Sequence, residues 1–300
     1  TPNQSYSYKV IATDSASQTG VSETVTLTTA NNSPPVFVGG AGHYAVAENA
    51  AVNTSVGFVK ATDVDTDDSL TYSIQETGTP FQIDAASGEI TINGAIDRSS
   101  AIKHTITVAV TDQVASVTQQ QTIFVIPTAN ADKTGVLLEH WTGIGGNEVS
   151  NLTSNPNYPA NPTQTSALTT FEAPSQTYGS YGQRASGYLK VSESGEYIFW
   201  IASDDQSELR LSTDTSSSNM GSPIASVSGW TSAQQWTKYS SQKSAPVNLV
   251  AGRLYYIEAL HKEGGGGDHV AVALQKTGDA TQTLISGLQI IPPYVVDSII

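Results

Sequence analysis

The chain has 300 residues, enough for two domains or so. Its 27 acidic residues against 13 basic ones give a net charge of −14. This excludes nucleic acid as a partner, because phosphate binding needs clustered Lys and Arg, and no apolar run is long enough to insert into a membrane. Cysteine is absent, so disulfides and thiol chemistry are excluded. The surplus carboxylates fit either a solvated acidic surface or oxygen ligands for a hard cation such as Ca2+. Abundant Thr, Ser, Val, Gly and Asn, with no helix-period segment, predict an all-β chain.

The first residues show no basic region followed by an apolar stretch, so no signal peptide is visible. The chain begins in mid-pattern, as a piece of a longer one would. Residues 6–12 and 23–29 read as two strands, and Asn31-Asn32-Ser33-Pro34-Pro35 reads as a linker. Two strands cannot close a core, so residues 1–33 are expected to be the tail of a preceding domain. Residues 34–130 are expected to form a sandwich, with strands at 43–47, 55–61, 70–74, 89–92, 103–110 and 117–126. A polar linker at Pro127 to Lys133 precedes a third unit, residues 131–293. Its strands are predicted at 135–142, 185–191, 196–202, 208–212, 253–261 and 269–275. Tyr197, Phe199 and Ile201 share one strand face and Ile198 and Trp200 the other; both faces are apolar, which predicts a strand buried on both sides. The stretch 143–180, polar and rich in Pro and Asn, is expected to be long loops. Pro292-Pro293 reads as a linker, and 294–300 as the start of a following segment. The expected architecture is a tandem of β-sandwiches.

Short features within 36–127 line up with one family. Pro34-Pro35-Val36-Phe37 opens the segment. Ala61-Thr62-Asp63-Val64-Asp65 is followed by Leu70-Thr71-Tyr72-Ser73-Ile74, then Phe81-Gln82-Ile83-Asp84, Gly88-Glu89-Ile90, Asp97-Arg98 and Val108-Ala109-Val110-Thr111-Asp112. This order resembles a cadherin repeat, and Val10-Ile11-Ala12-Thr13-Asp14 resembles the end of another. The resemblance implies calcium at the junctions: Asp63, Asp65 and Asp112 with the linker before them, Glu48 and Asp97 with the linker after. Both linkers, Thr29-Ala30-Asn31-Asn32-Ser33 and Thr128-Ala129-Asn130-Ala131-Asp132, lack carboxylates that the family carries. The run Asp63 to Asp68 is not an EF-hand loop, which needs Gly at its sixth position and Glu at its twelfth; here those are Asp68 and Ile74.

Residues 133–293 carry a second set. Gly135-Val136-Leu137-Leu138-Glu139-His140-Trp141, Ser194-Gly195-Glu196-Tyr197-Ile198-Phe199, Ser203-Asp204-Asp205-Gln206-Ser207 and Ala251-Gly252-Arg253-Leu254-Tyr255-Tyr256-Ile257 follow in order. Glu263 then leads into Gly264-Gly265-Gly266-Gly267-Asp268-His269. The set resembles the PA14 family of lectin domains. The resemblance implies that a cis peptide joins Asp204 and Asp205, so that both carboxylates face one calcium. Four glycines tolerate positive φ and could present the carbonyls of Gly264, Gly265, Gly266 and Gly267 as further ligands, with Asp268 adding a carboxylate. Open places on the ion would take vicinal hydroxyls of a sugar, with Asp204, Asp205, Gln206 and His269 around it. The calcium-binding GGxGxDxUx nonapeptide does not fit, because Asp268 comes one residue early and there is no second copy.

No GxSxG, HExxH or Walker pattern occurs, and the five histidines are not spaced as a zinc site. The chain is therefore expected to be no enzyme but a calcium-dependent carbohydrate-binding segment of an extracellular adhesin on a bacterial cell surface, recognising mono- or oligosaccharides of another cell's glycans. It resembles the ligand-binding region of giant exported repeat adhesins, including the ice-binding type. Two other readings remain open: a calcium-stiffened spacer, and an accessory sugar-binding module of a glycosidase.

Overall fold

The computed structural model describes residues 5–28, 32–176 and 179–296. The linker residues Thr29, Ala30 and Asn31, and residues 297–300 of the expected following segment, lie outside these. The first described stretch is one long ribbon: Ser5–Tyr8 pairs with Val25–Thr28, and Ile11–Thr13 with Thr19–Val21. A two-stranded ribbon cannot bury its own faces, and Val10, Ile11, Val21 and Val25 are exposed.

The first sandwich packs two sheets. One runs His43–Ala47, Ser116–Ile126, Lys103–Thr111 and Thr71–Ile74 in spatial order, the first pair parallel. The other holds Phe81–Ile83, Glu89–Ile92 and Ser55–Phe58. Alternation sends Ile106, Val108 and Val110 to one face of their strand. They meet Tyr44, Val56, Ile90, Ile92 and Ile123 in one buried cluster. The observed strands match the predicted ones to within a few residues.

The second sandwich is larger. Its wider sheet orders Gln164–Leu168, Val136–Thr142, Tyr181–Lys190, Leu254–Glu263, Ser207–Leu211 and Ala225–Val227. Its other sheet orders Glu172–Ala173, His269–Lys276, Gly195–Asp204 and Val247–Leu249. Between them lie Leu138, Phe171, Phe199, Ile201, Leu209, Ile257, Val272 and Leu274. The strand Gly195–Asp204 sits inside its sheet, with Tyr197, Phe199 and Ile201 in the core. Its other face departs from expectation: Ile198 and Trp200 are only half-buried. The Lys243 ammonium, 5.0 Å from the Trp200 ring, covers that face instead of a second layer. The stretch 143–180 is also more ordered than loops, contributing the helix Val149–Thr153 and the edge strand Gln164–Leu168.

Pro292-Pro293 is not an open linker. Both prolines are buried, and Pro293 opens the short helix Pro293–Val296, a position where its missing N–H costs nothing. Ile290–Ile291 pairs with Tyr181–Lys190. Val295 and Val296 then join Phe124 and Ile126 of the first sandwich and Tyr188, Leu254 and Tyr256 of the second in one cluster. The amide of Phe58 donates to the Ala251 carbonyl across the same boundary at 3.0 Å. A Cβ on Gly252 would lie 2.4 Å from the Gly57 Cα, so the two backbones touch only because both are glycine. The sandwiches thus share a packed apolar boundary.

Candidate cation and ligand site

The strand Gly195–Asp204 ends on the acid pair, and Ser207–Leu211 leaves it after a tight turn. The Asp204–Asp205 peptide is cis. The backbone around it is tied inward. The Ser203 hydroxyl donates to the Asp205 carbonyl at 2.6 Å. His261 Nε2 lies 2.7 Å from the Asp204 carbonyl. His261 is fully buried, and burial pushes its pKa down to about 3, so the neutral ring donates through Nε2 and accepts from the Gln183 amide at Nδ1, 2.7 Å away. With the carbonyls held inside, the two carboxylates project from the turn.

Glu263, the last residue of Leu254–Glu263, completes the group. Carboxylate oxygens of Asp204, Asp205 and Glu263 all lie within 4.8 Å of one another. Oxygens bound to one hard cation at about 2.4 Å are at most about 4.8 Å apart. Glu263 is 1% exposed, and neither of its carboxylate oxygens has a hydrogen-bond partner among the described residues. Burial first, then the charges of Asp205 and Asp204, push its pKa up to about 7. Burial and the neighbouring Asp205 also raise Asp204. The charge of the nearby Lys262 offsets this only in part; its ammonium donates to the carbonyls of Gly146 at 2.7 Å and Glu263 at 2.6 Å. Buried carboxylate oxygens without partners, such as those of Glu263, are costly; three carboxylates converging fit calcium, which needs oxygen ligands and charge.

The glycine run passes directly over the pair. A Cβ on Gly264 would lie 3.3 Å from Asp205 Oδ2, and one on Gly267 3.5 Å from Asp204 Oδ2. Gly264 turns its amide to Asp205 Oδ2 at 3.0 Å. Its carbonyl points the other way and accepts from the amide of Ser180 at 3.1 Å and the hydroxyl at 3.3 Å. A Cβ on Gly265 or Gly266 would meet nothing within 4 Å, and the two form the loop tip. Asp268 is not in the carboxylate group. It is buried, and its oxygens accept from the Gln176 amide at 2.7 Å and from the Tyr181 hydroxyl, so it anchors the loop. Gln206 likewise points to structure, its Oε1 accepting from the amide of Val149 at 2.7 Å. His269 lies opposite Asp204 in the strand pairing, with Nε2 3.5 Å from the Thr231 hydroxyl.

Two residues of the site escaped the sequence reading. Glu263 was one, although it directly precedes the glycines. The other is Trp230, which bridges Asp204 through the backbone, is 52% exposed, and carries the Lys238 ammonium 3.3 Å from its ring centroid. A lone Trp after Gly229 in a polar stretch was the available signal.

A second acidic group lies at the far end of the first sandwich. Asp63, Asp68 and Asp112 place carboxylate oxygens within 4.8 Å of one another. Here protein donors already serve part of the group. Asp112 is buried and accepts from the amides of Val114 at 2.7 Å and Ala115 at 2.6 Å and from the Asn32 side chain at 2.9 Å. Asp65 accepts from the Ser33 amide at 2.7 Å, while Asp63 Oδ2 is buried without a partner. Asp68 had served only to reject the EF-hand. Glu48 and Asp97 join no group of three acids among the described residues. Glu48 reaches Thr128 at 3.4 Å, and hydrogen bonds from Ser99 and Ser100 hold the Asp97 carboxyl below its usual range.

Comparison with known families divides the chain into two parts. A family model described as "Cadherin domain" matches residues 42–126, and one described as "PA14 domain" matches residues 133–284. The protein is a cadherin domain followed by a PA14 domain. The PA14 match covers half of the chain, and the chain belongs to the PA14 family. It is 38% identical over 141 residues to the mouse N-acetyl-beta-glucosaminyl-glycoprotein 4-beta-N-acetylgalactosaminyltransferase 1, covering 45% of this chain and 13% of that protein. It is 39% identical over 106 residues to mouse Protocadherin Fat 4, covering 34% of this chain and 2% of that one. The chain thus spans a small part of these relatives. Among solved structures, the A domain of Epithelial Adhesin 6 from Candida glabrata in complex with Galb1-3GlcNAc matches with a TM-score of 0.39 at 16% identity, over 53% of this chain and 87% of that one. The PA14 domain of the antifreeze protein MpAFP matches at 0.41 and 15%, over 53% and 92%.

Proposed function

We propose that this segment is a non-catalytic, calcium-dependent carbohydrate-binding module of an extracellular adhesin. The observation that carries the reading is the convergence of Asp204, Asp205 and the buried Glu263, the last with both carboxylate oxygens unpartnered among the described residues. Calcium takes about six to eight oxygens. Three carboxylates supply part of that shell and the glycine loop faces it, leaving places for the vicinal hydroxyls of a sugar. The exposed ring of Trp230 beside Asp204 offers an apolar face to the same ligand. Single-site binding of this kind is weak, on the order of millimolar for a monosaccharide, so firm attachment comes from many copies on one surface. The resemblance to exported repeat adhesins supports such copies standing on a bacterial cell.

The group of Asp63, Asp68 and Asp112, with Asp65 and Asn32 at its edge, is proposed as a calcium site between the first sandwich and residues 1–33, the latter being the end of a preceding repeat. A glycan array probed with and without chelator, beside an Asp205→Ala variant, tests the main reading. Binding that requires calcium and disappears in the variant is expected. Binding that survives both treatments contradicts the calcium mechanism, and binding to no glycan contradicts the lectin role.

A further inference from the structure

We propose that the cleft between the two sandwiches is a second ligand site, distinct from the calcium pocket, and that it takes a small monocarboxylate with an apolar body, held by Arg253. Arg253 is 4% exposed. Its Nη2 donates to the Ala41 carbonyl of the first sandwich at 3.0 Å and to the Thr213 carbonyl of the second at 3.2 Å. Its Nε is buried with no acceptor. Among the described residues no carboxylate pairs with it; the ion pairs found there involve Arg184, Arg210 and Lys276. Two neutral carbonyls orient a guanidinium without cancelling its charge, and a buried charge without a counter-charge is costly. A planar fork with a free donor is suited to a carboxylate.

Space for that anion lies beside it. A cleft of about 370 Å³ borders the guanidinium, within the size range of small-ligand sites. Val38 and Gly39 of the first sandwich and Leu211, Ile224, Val247 and Tyr255 of the second line it, so its walls are largely hydrocarbon. Gly39 holds room for the fork: its φ is +76°, and a Cβ there would stand 2.7 Å from Arg253 Nη1. One cation against apolar walls selects a single negative charge, since a dianion would carry more charge into the cleft than Arg253 can neutralise. The wall area selects an aliphatic or aromatic body over a sugar. Both domains supply walls, so an occupant would also stiffen their boundary.

The test is calorimetric titration of the whole segment with phenylacetate, benzoate and hexanoate at constant ionic strength, with benzyl alcohol as the uncharged counterpart. Saturable one-to-one binding is expected for at least one carboxylate, with benzyl alcohol at least about tenfold weaker, the scale of one charge-assisted contact. Arg253→Met should weaken the carboxylate by a similar factor, and Val247→Trp, which fills the cleft while leaving the guanidinium in place, should do the same. Equal binding of the alcohol, unchanged binding in Val247→Trp, or no saturable binding of any of the three acids overturns the proposal. Should Arg253→Met fail to fold, the comparison of acid with alcohol and the Val247→Trp variant decide the matter.

Discussion

The two acidic groups of this chain contain the same chemistry in different states of completion. At Asp63, Asp68 and Asp112 the chain supplies donors in part: the amides of Val114 and Ala115 and the side chain of Asn32 serve both oxygens of Asp112, the Asp65 amide serves one oxygen of Asp63, and Asp63 Oδ2 alone is buried without a partner among the described residues. At Asp204, Asp205 and Glu263 it supplies fewer, the Gly264 amide serving Asp205 Oδ2, and the most buried member of the group has both carboxylate oxygens without a partner among the described residues. A carboxylate cluster that the protein solvates itself can persist without an ion. One that it does not solvate depends on an external cation, and dependence of this kind marks a binding site more strongly than the number of acids does.

Neutralising the acid pair should break the comparison most visibly. Asp204→Asn with Asp205→Asn should weaken calcium at the second sandwich by about a hundredfold or more, because two of the charged ligands are gone, while calcium binding at the first sandwich is unchanged. Site-resolved NMR during a calcium titration separates the two. Chelation should next act unequally on stability. A ligand at a hundred times its Kd adds about 2.7 kcal/mol, so the second sandwich should lose several degrees of melting temperature in chelator and the first should lose less, as read by calorimetry.

These expectations rest on parts of the site that were not equally legible. The acid pair and the glycine run are contiguous in sequence, so their chemistry could be read without the fold. Glu263 meets them only because Leu254–Glu263 pairs with Ser207–Leu211 and brings its end beside the turn; a lone Glu after Lys262 carries no such sign. Asp268 misled for the same reason, since its position beside the glycines suggested a ligand while the fold hands it to Tyr181 and Gln176. Most strands of both sandwiches were legible from β-branched alternation. The return of Ile290–Ile291 and the Pro293–Val296 helix to the domain boundary was not, because a Pro-Pro pair reads locally as a linker and its burial comes from Phe124 and Tyr256 far along the chain.

Acidity should sharpen the contrast further. Glu263 is raised from its ordinary 4.5 to about 7. The proton therefore stabilises the folded state below about 4.5, and that contribution is lost as pH rises through about 7. A cation needs the ionised form and competes with the proton. Apparent calcium affinity at the second sandwich should fall about tenfold between pH 8 and pH 6, with a proton released on binding near neutrality. At the first sandwich the shifts oppose one another, hydrogen bonds from Ala115 and Asn32 lowering Asp112 while burial and the neighbouring acids raise Asp68, so a weaker dependence is expected there. Titrations in two buffers of different ionisation enthalpy check both statements. The smallest effect belongs to Trp230→Ala: about fivefold weaker glycan binding, ~1 kcal/mol for a lost aromatic contact, with calcium affinity unchanged.

The most direct measurement is a calcium titration of the segment and its Glu263→Gln variant by calorimetry at pH 7.5. The account predicts a site in the second sandwich that is present in the parent and weakened by at least about tenfold when the buried carboxylate loses its charge. A parent that binds no calcium there, or a variant that binds it as tightly as the parent, would contradict the claim that Asp204, Asp205 and Glu263 form one cation site.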